Sequence, residues 1–147
     1  MPSDGLLQAM NRVHRGLLRL SGGMLGWRLK GMPVLELTTV GRTTGLARAV
    51  MLTAPVRDGD TFVIVASRGG DDRHPSWFLN LIEHPEVKVK LAGWSEISMQ
   101  ARVVSPDERA ALWARVTETY GGYASYQEKT TRVIPLVVLE PAAPAST

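Results

Sequence analysis

The sequence predicts a mainly β, α+β fold: a small antiparallel barrel of about six strands with flanking helices. Three observations predict it. Six short apolar or β-branched segments follow one another at hairpin spacing. Arg57-Asp58-Gly59-Asp60 places an Asp-Gly pair, the signal of a tight hairpin turn, between two of them. Val87 to Leu91, and then Ile97, Met99, Ala101 and Val103, alternate apolar with polar, so each of these strands has one buried and one wet face.

In chain order, Asp4 to Leu20 reads as an N-terminal amphipathic helix. Leu6, Met10, Val13, Leu17 and Leu20 form a stripe, and Arg12, Arg15 and Arg19 fall opposite. Such a helix either packs on the body with solvated arginines or lies on an anionic membrane surface. Ser21-Gly22-Gly23 breaks it, and Gly31-Met32-Pro33 closes the arm. The strands are Val34–Val40, Ala49–Val56 after a glycine-bearing turn, Thr61–Ala66, Val87–Leu91, Ile97–Val103 and Pro135–Leu139. Two helices interrupt them. Pro75 to Glu83 offers Trp77, Phe78, Leu81 and Ile82 for burial and stops ahead of Pro85. Pro106 to about Thr119 has Ser105 as N-cap, Pro106 at N1 and Glu108 at N3, a capping box, with Leu112, Trp113 and Val116 toward the core. The chain thus divides into a basic arm over 1–32, a barrel over 33–141 and a Pro/Ala/Ser-rich, disordered tail over 142–147.

The 147 residues carry a net charge of +3; 44% are hydrophobic and 21% charged, which suits one globular domain and excludes wholesale disorder. The absence of cysteine excludes disulfides, thiolate zinc sites and cysteine nucleophiles. No apolar run approaches the roughly 20 residues that span a bilayer, and no signal-peptide core is visible, so a cytoplasmic protein is expected. The arm carries a net +4, which leaves the body at −1. A basic body for binding duplex nucleic acid is therefore not supported. His14, His74 and His84 lie far apart without carboxylates at ligand spacing, which speaks against a metal site. Gly-x-Ser-x-Gly and P-loop motifs are absent, and no carboxylate pair stands out for acid–base work.

Three polar clusters remain. Thr38 to Gly45, with Arg48 beyond, combines glycines, hydroxyls and two arginines; it is either an anion nest or a plain hairpin turn with solvated charges. Ala66-Ser67-Arg68-Gly69-Gly70 leads to His74 and a helix start carrying Trp77 and Asn80. That cluster can hold an anion and a flat ring, or be core plus a local hydrogen-bonder. Tyr120, Tyr123 and Tyr126, all the tyrosines of the chain, stand at three-residue spacing around Gly121-Gly122. On a helical turn they share a face, and they either line a substrate pocket or cover the barrel as an aromatic patch.

Val34 to Gly45, Val65 to Gly70, His74 to Leu81, Tyr120 to Gln127 and the closing Ile134 to Pro141 together resemble the deazaflavin (coenzyme F420)-dependent nitroreductases and quinone reductases of mycobacteria and related actinobacteria. The resemblance covers about residues 33–141. It implies a split β-barrel that binds the 8-hydroxy-5-deazaflavin F420 in a groove. The phosphate and acidic tail would lie on Gly41, Arg42, Thr43, Thr44 and Gly45 with Arg48 and Arg68. Met51, Ala66, Ser67, Gly69, Trp77 and Asn80 would hold the deazaflavin. Tyr120, Tyr126 and Thr53 would shape the acceptor pocket. Ser67 and Tyr123 would hydrogen-bond the acceptor, with Tyr123 first for the catalytic role. Two departures stand out: Thr43 replaces the usual second basic residue, and Thr53 replaces an aromatic beside the ring.

The implied activity is hydride transfer from reduced F420 to a small electron-poor acceptor, such as a quinone, an activated alkene or a nitroaromatic. The cofactor carries the chemistry and the protein supplies orientation and charge placement, which accounts for the missing acid–base constellation. The alternative is a non-catalytic deazaflavin carrier, or a split barrel that binds flavin mononucleotide or haem. Peripheral membrane contact is expected of the arm alone, and no nucleic acid partner is expected.

Arginine-bearing turns suit a long polyanionic tail, and exposed ionic contacts weaken with salt. F420 is therefore expected to bind more tightly than flavin mononucleotide, with an affinity that falls as salt rises. Parallel titrations of both cofactors at two ionic strengths check this; tighter flavin mononucleotide binding or a flat salt response overturns it.

Overall fold

The computed structural model describes residues 28–29, 32–93 and 95–142. The expected N-terminal helix, its membrane contact and the tail beyond Ala142 lie outside these residues. Eight strands are described: β1 Arg28–Leu29, β2 Met32–Val40, β3 Ala47–Thr53, β4 Val56–Asp58, β5 Thr61–Val65, β6 Glu86–Lys90, β7 Ile97–Val103 and β8 Leu136–Pro141. All pair antiparallel in the order β1-β2-β6-β7-β8-β5-β4, with β3 on β2. The helices are α1 Ser76–Glu83, α2 Pro106–Thr119 and α3 Gly122–Glu128, with a 3-10 turn at Arg68–Gly70. The sheet curls into a half-barrel, the split-barrel class expected.

On β5 and β8 both alternating sets of side chains are apolar, so these two strands are buried on both faces, while β6 and β7 keep one face wet. On β5, Phe62 and Ile64 join one core while Val63 and Val65 join another; on β8, Val137 and Leu139 face the first and Leu136 and Val138 the second. The first core takes Leu35, Leu37, Val87, Val89 and Met99, and is closed by Trp77, Phe78 and Leu81 of α1. The second is closed by Val116 of α2 and Tyr123 of α3. Burying a side chain of this size contributes on the order of 1.5–3 kcal/mol, so both faces stabilise the fold.

Two local expectations hold, and one unexpected ion pair joins them. Gly59 takes φ 64° in the β4–β5 hairpin. The Ser105 hydroxyl accepts the Glu108 N–H at 3.3 Å, capping α2. Arg115 of α2 donates two hydrogen bonds, at 3.1 and 2.9 Å, to the Asp58 carboxylate and so pins the helix to that hairpin.

Three expectations need correction. The strand expected over Ala49–Val56 breaks at Ala54-Pro55. Proline offers no N–H to the ladder; the Ala54 N–H reaches the Pro33 carbonyl at 2.9 Å, and the chain resumes as β4 at the other end of the strand order. This break, with the two-residue β1, makes eight strands of the expected six. Ile82 is 53% exposed. It lies about 140° round the helix from Trp77 at ~100° per residue, off the arc of Trp77, Phe78 and Leu81. Finally, a third helix, α3, forms after Gly121 and carries only two of the three tyrosines.

Gly70 joins the 3-10 turn to α3. Its φ is +88°, and a Cβ there would lie 2.8 Å from the Tyr126 carbonyl oxygen and 3.0 Å from the Lys129 Cβ. Gly59 shares the left-handed backbone but has open space around it. Gly59→Ala is expected to cost about 1–2 kcal/mol, the left-handed penalty alone. Gly70→Ala should cost more, because backbone must also move. Denaturant midpoints of the two variants compare them directly; equal losses would show that the turn yields freely.

Candidate active site

The β2–β3 hairpin tip is shaped by its glycines. The Gly41 N–H reaches the Leu46 carbonyl and the Gly45 N–H the Gly41 carbonyl, both at 2.8 Å. A Cβ on Gly41 would come within 2.8 Å of Thr44 Oγ1, and Gly45 takes φ +72°. The tip turns its polar groups outward: Arg42, Thr43, Thr44 and Arg48 are exposed. Arg42 is nevertheless held. Asn80 Oδ1 accepts its N–H at 3.1 Å and its Nη1 at 2.8 Å, and Nη1 also donates to the Ser76 carbonyl at 3.3 Å. Asn80 Nδ2 donates to Thr39 Oγ1 at 3.2 Å. Asn80, a candidate cofactor ligand, thus braces the hairpin from α1. Arg48 Nη2 donates to Thr44 Oγ1 at 3.4 Å.

Where β5 ends, Ser67 is right-handed at φ −79°, and Arg68, Gly69 and Gly70 follow at φ 47°, 65° and 88°. Arg68 does not project into solvent. Its side chain is 6% exposed and ion-paired with the Asp71 carboxylate. The Arg73 N–H on Asp71, at 3.0 Å, and the Arg68 charge hold that carboxyl below its ordinary range. Ser67 is buried, and Trp77 belongs to the first core. Arg132, which no sequence motif marks, reaches this turn. It donates to the carbonyls of Ala66, Ser67 and Asp71 at 3.1, 2.9 and 2.9 Å, and its Nη1 lies 3.2 Å from His74 Nδ1.

The tyrosines are brought together, though not by one helix. α2 stops at Thr119 and Tyr120 is extended, at φ −147°. Its ring lies over Gly122, where a Cβ would come within 2.4 Å of it. The Tyr120–Tyr123 and Tyr123–Tyr126 rings meet edge-on with centroids 5.2 and 6.0 Å apart. Tyr123 is buried, and its hydroxyl lies 2.7 Å from Thr53 Oγ1. Burial pushes the Tyr123 phenol up, and the Thr53 contact offsets part of this. Burial raises Tyr126 as well. Both therefore remain protonated donors through the neutral range.

These parts share one lane. Antiparallel register puts Ala49, Met51 and Thr53 of β3 on the same face as Thr38, Glu36 and Val34 of β2. Thr53 ends this lane; Arg48 starts the same strand about 17 Å away at ~3.4 Å per residue, on the alternate side-chain set with Val50 and Leu52. Met51 and the Thr53–Tyr123 hydroxyls on this face, with the exposed guanidiniums of Arg42 and Arg48 at the hairpin tip beyond it, fit an elongated cofactor with an anionic tail that turns over the tip. Gly70 keeps the Ser67 turn against α3, at the Tyr126 carbonyl and Lys129.

His74 lies between Phe78, 4.8 Å away ring to ring, and Arg132. Burial first, and then the Arg132 charge, hold its imidazole below the ordinary value of 6.5. The folded state thus binds fewer protons than the unfolded chain, so stability is complete above about pH 6.5 and declines as pH falls through that region. Asp71, a lowered carboxyl, contributes stability that is lost only at more acid pH. His74→Gln is expected to flatten the fall in Tm between pH 7.5 and 5.5 relative to wild type; an unchanged slope would remove His74 from the pH response.

Comparison with known proteins identifies the family and the fold. Residues 10–141 match the sequence profile of a family described as F420H(2)-dependent quinone reductase. An F420H(2)-dependent quinone reductase of Mycobacterium tuberculosis is 40% identical over 132 residues, 87% of each chain. The solved structure of an F420-H2 dependent reductase is 37% identical with a TM-score of 0.65, covering 74% of this chain and 94% of its own. A second solved structure, described only as a domain-swapped dimer, is 32% identical with a TM-score of 0.68, covering 90% of this chain and 99% of its own. With that profile spanning nearly the whole chain over a matching fold, this protein belongs to the F420H(2)-dependent quinone reductase family.

Proposed function

We propose that the lane along β3 is the site at which this chain, an F420-dependent oxidoreductase by family, reduces a small electron-poor acceptor of the quinone type. Activated alkenes and nitroaromatics fall within the same reading. The observation that carries it is the Thr53–Tyr123 hydroxyl pair, 2.7 Å apart, on a strand whose other end carries exposed Arg48. Reduced F420, when bound, supplies a hydride. Everything else falls to the chain's own residues.

Arg42 and Arg48, with Gly41, Thr43, Thr44 and Gly45, would hold the anionic tail. Met51, Ala66, Ser67 and Gly69 would border the ring system, while Trp77, Asn80 and Arg68 support these segments from inside. Tyr120 and Tyr126 wall the acceptor pocket. Tyr123 donates its hydroxyl hydrogen to the acceptor oxygen as negative charge develops there. Thr53 can donate to the phenol oxygen at the same time, which strengthens the phenol as a donor. A threonine in place of an aromatic leaves more room beside Tyr123, so bulkier acceptors should be admitted. The division into arm and barrel at residues 32 and 33, a cytoplasmic location and lipid contact by the arm belong to the same proposal; the stripe and +4 charge of residues 1–32 support the last.

Losing one preorganised donor costs about 10²–10³ in rate in a closed site, and less where water can substitute. Tyr123→Phe is expected to lower quinone turnover by about tenfold while leaving the dissociation constant of oxidised F420 nearly unchanged. If Phe is harmless and Ala damaging, the ring acts only as a wall. If both variants lose F420 affinity in step with activity, Tyr123 belongs to the cofactor site. Wild-type protein that binds F420 but does not oxidise its reduced form when an acceptor is added would be a carrier.

A further inference from the structure

Arg132 lies in the loop between α3 and β8, far in sequence from everything it touches. One planar fork serves three backbone carbonyls and a ring nitrogen: Ala66 O at 3.1 Å, Ser67 O at 2.9 Å, Asp71 O at 2.9 Å and His74 Nδ1 at 3.2 Å. Its hydrogen bonds go to carbonyl oxygens, while the nearby Asp71 and Asp72 carboxylates favour its charge. Lysine, with three donors on one point, cannot span this set. The loop is itself tied down, because Thr130 Oγ1 donates to Asp72 Oδ1 at 2.8 Å and accepts the Arg132 N–H at 3.3 Å.

The trans peptide unit converts these contacts into a direction. Its C=O and N–H point opposite ways. With the Ala66 and Ser67 carbonyls both drawn toward the guanidinium, the Ser67 and Arg68 N–H groups face away from it. Two successive amides are thereby aimed together, in a segment that runs from right-handed Ser67 into left-handed Arg68, an arrangement that gathers donors toward a ligand's oxygen or nitrogen. A cation bonded to the carbonyl side of a peptide also polarises its N–H.

We infer that Arg132 is a positioning residue for the cofactor: it fixes the Ala66–Gly70 turn so that the Ser67 and Arg68 amides are presented to the ring edge of F420. The inference rests on the proposed reading that this turn borders the cofactor. Arg132 touches only the turn and not the bound group.

The test uses the full chain and oxidised F420 without an acceptor. Arg132→Met is expected to raise the F420 dissociation constant about tenfold or more, since displacement of a positioned group by an ångström costs up to about a hundredfold. Arg132→Lys should recover part of that loss. Amide resonances of Ser67, Arg68 and Gly69 should shift on F420 addition in wild type and much less in Arg132→Met. Thr130→Val, which loosens the same loop but keeps the guanidinium, should lower Tm while holding the dissociation constant within about twofold. Folded Arg132→Met with wild-type affinity overturns the inference. So does a loss of affinity in Thr130→Val that matches Arg132→Met at the same loss of Tm, because the role is then only structural. If Arg132→Met does not fold, Arg132→Lys decides, and wild-type affinity and amide shifts in that variant overturn the inference. A wild-type chain that does not bind F420 defeats the underlying reading and the inference with it, whereas failure in the variants alone defeats only the inference.

Discussion

A sheet that buries both faces has few places to show polar groups to a ligand. Here α1 closes one core and α2 and α3 close the other, so β5 and β8 spend nearly their whole length on packing, while β6 and β7 keep one wet face. Functional groups are forced to strand ends, the hairpin tip and the outermost strand. The arginines sit at the tip of β2–β3, Ser67 follows the last residue of β5, and Thr53 ends β3. The distribution of chemistry follows from burial, because an unpaired polar group on either covered face would carry a desolvation cost of about 1–3 kcal/mol.

Much of this was legible in the sequence where a signal is local. Alternation located β6 and β7, Asp58-Gly59 the hairpin, and Ser105 with Glu108 the start of α2, because each depends on residues within a few positions of one another. What the sequence concealed depends on distant partners or on competition between local rules. Ala49–Val56 reads as one strand because seven favourable residues outweigh one proline on the page; in the fold a single missing N–H redirects the chain. α3 was hidden by its own glycines, which read as turn. Tyr123 and Thr53 were each singled out, but seventy positions separate them, and no periodicity shows that they meet.

The arginines make the same point in electrostatic terms. Counting charge treats Arg42, Arg68 and Arg132 alike. The fold gives them three environments: a braced and exposed guanidinium, a buried one matched to Asp71, and a half-buried one spread over carbonyl dipoles. Only the first is placed to meet an outside anion directly. The buried pair exchanges hydration for close geometry, which is costly unless both partners are satisfied, and it stiffens the turn that carries it. Charge near a site is therefore of two kinds, that which meets the ligand and that which holds the backbone.

The length of β3 has a consequence for how such a site can change. Its two ends are separated by well over the 7–10 Å beyond which substitutions usually act independently. A change at Thr53 should then leave the free energy of interactions around Arg48 untouched, and the reverse. One end of the strand can be rebuilt while the other stays in register, held by the same seven backbone pairs to β2. Under the proposed assignment of its two ends, selection for new oxidants and retention of the cofactor would act on separable coordinates of one short strand.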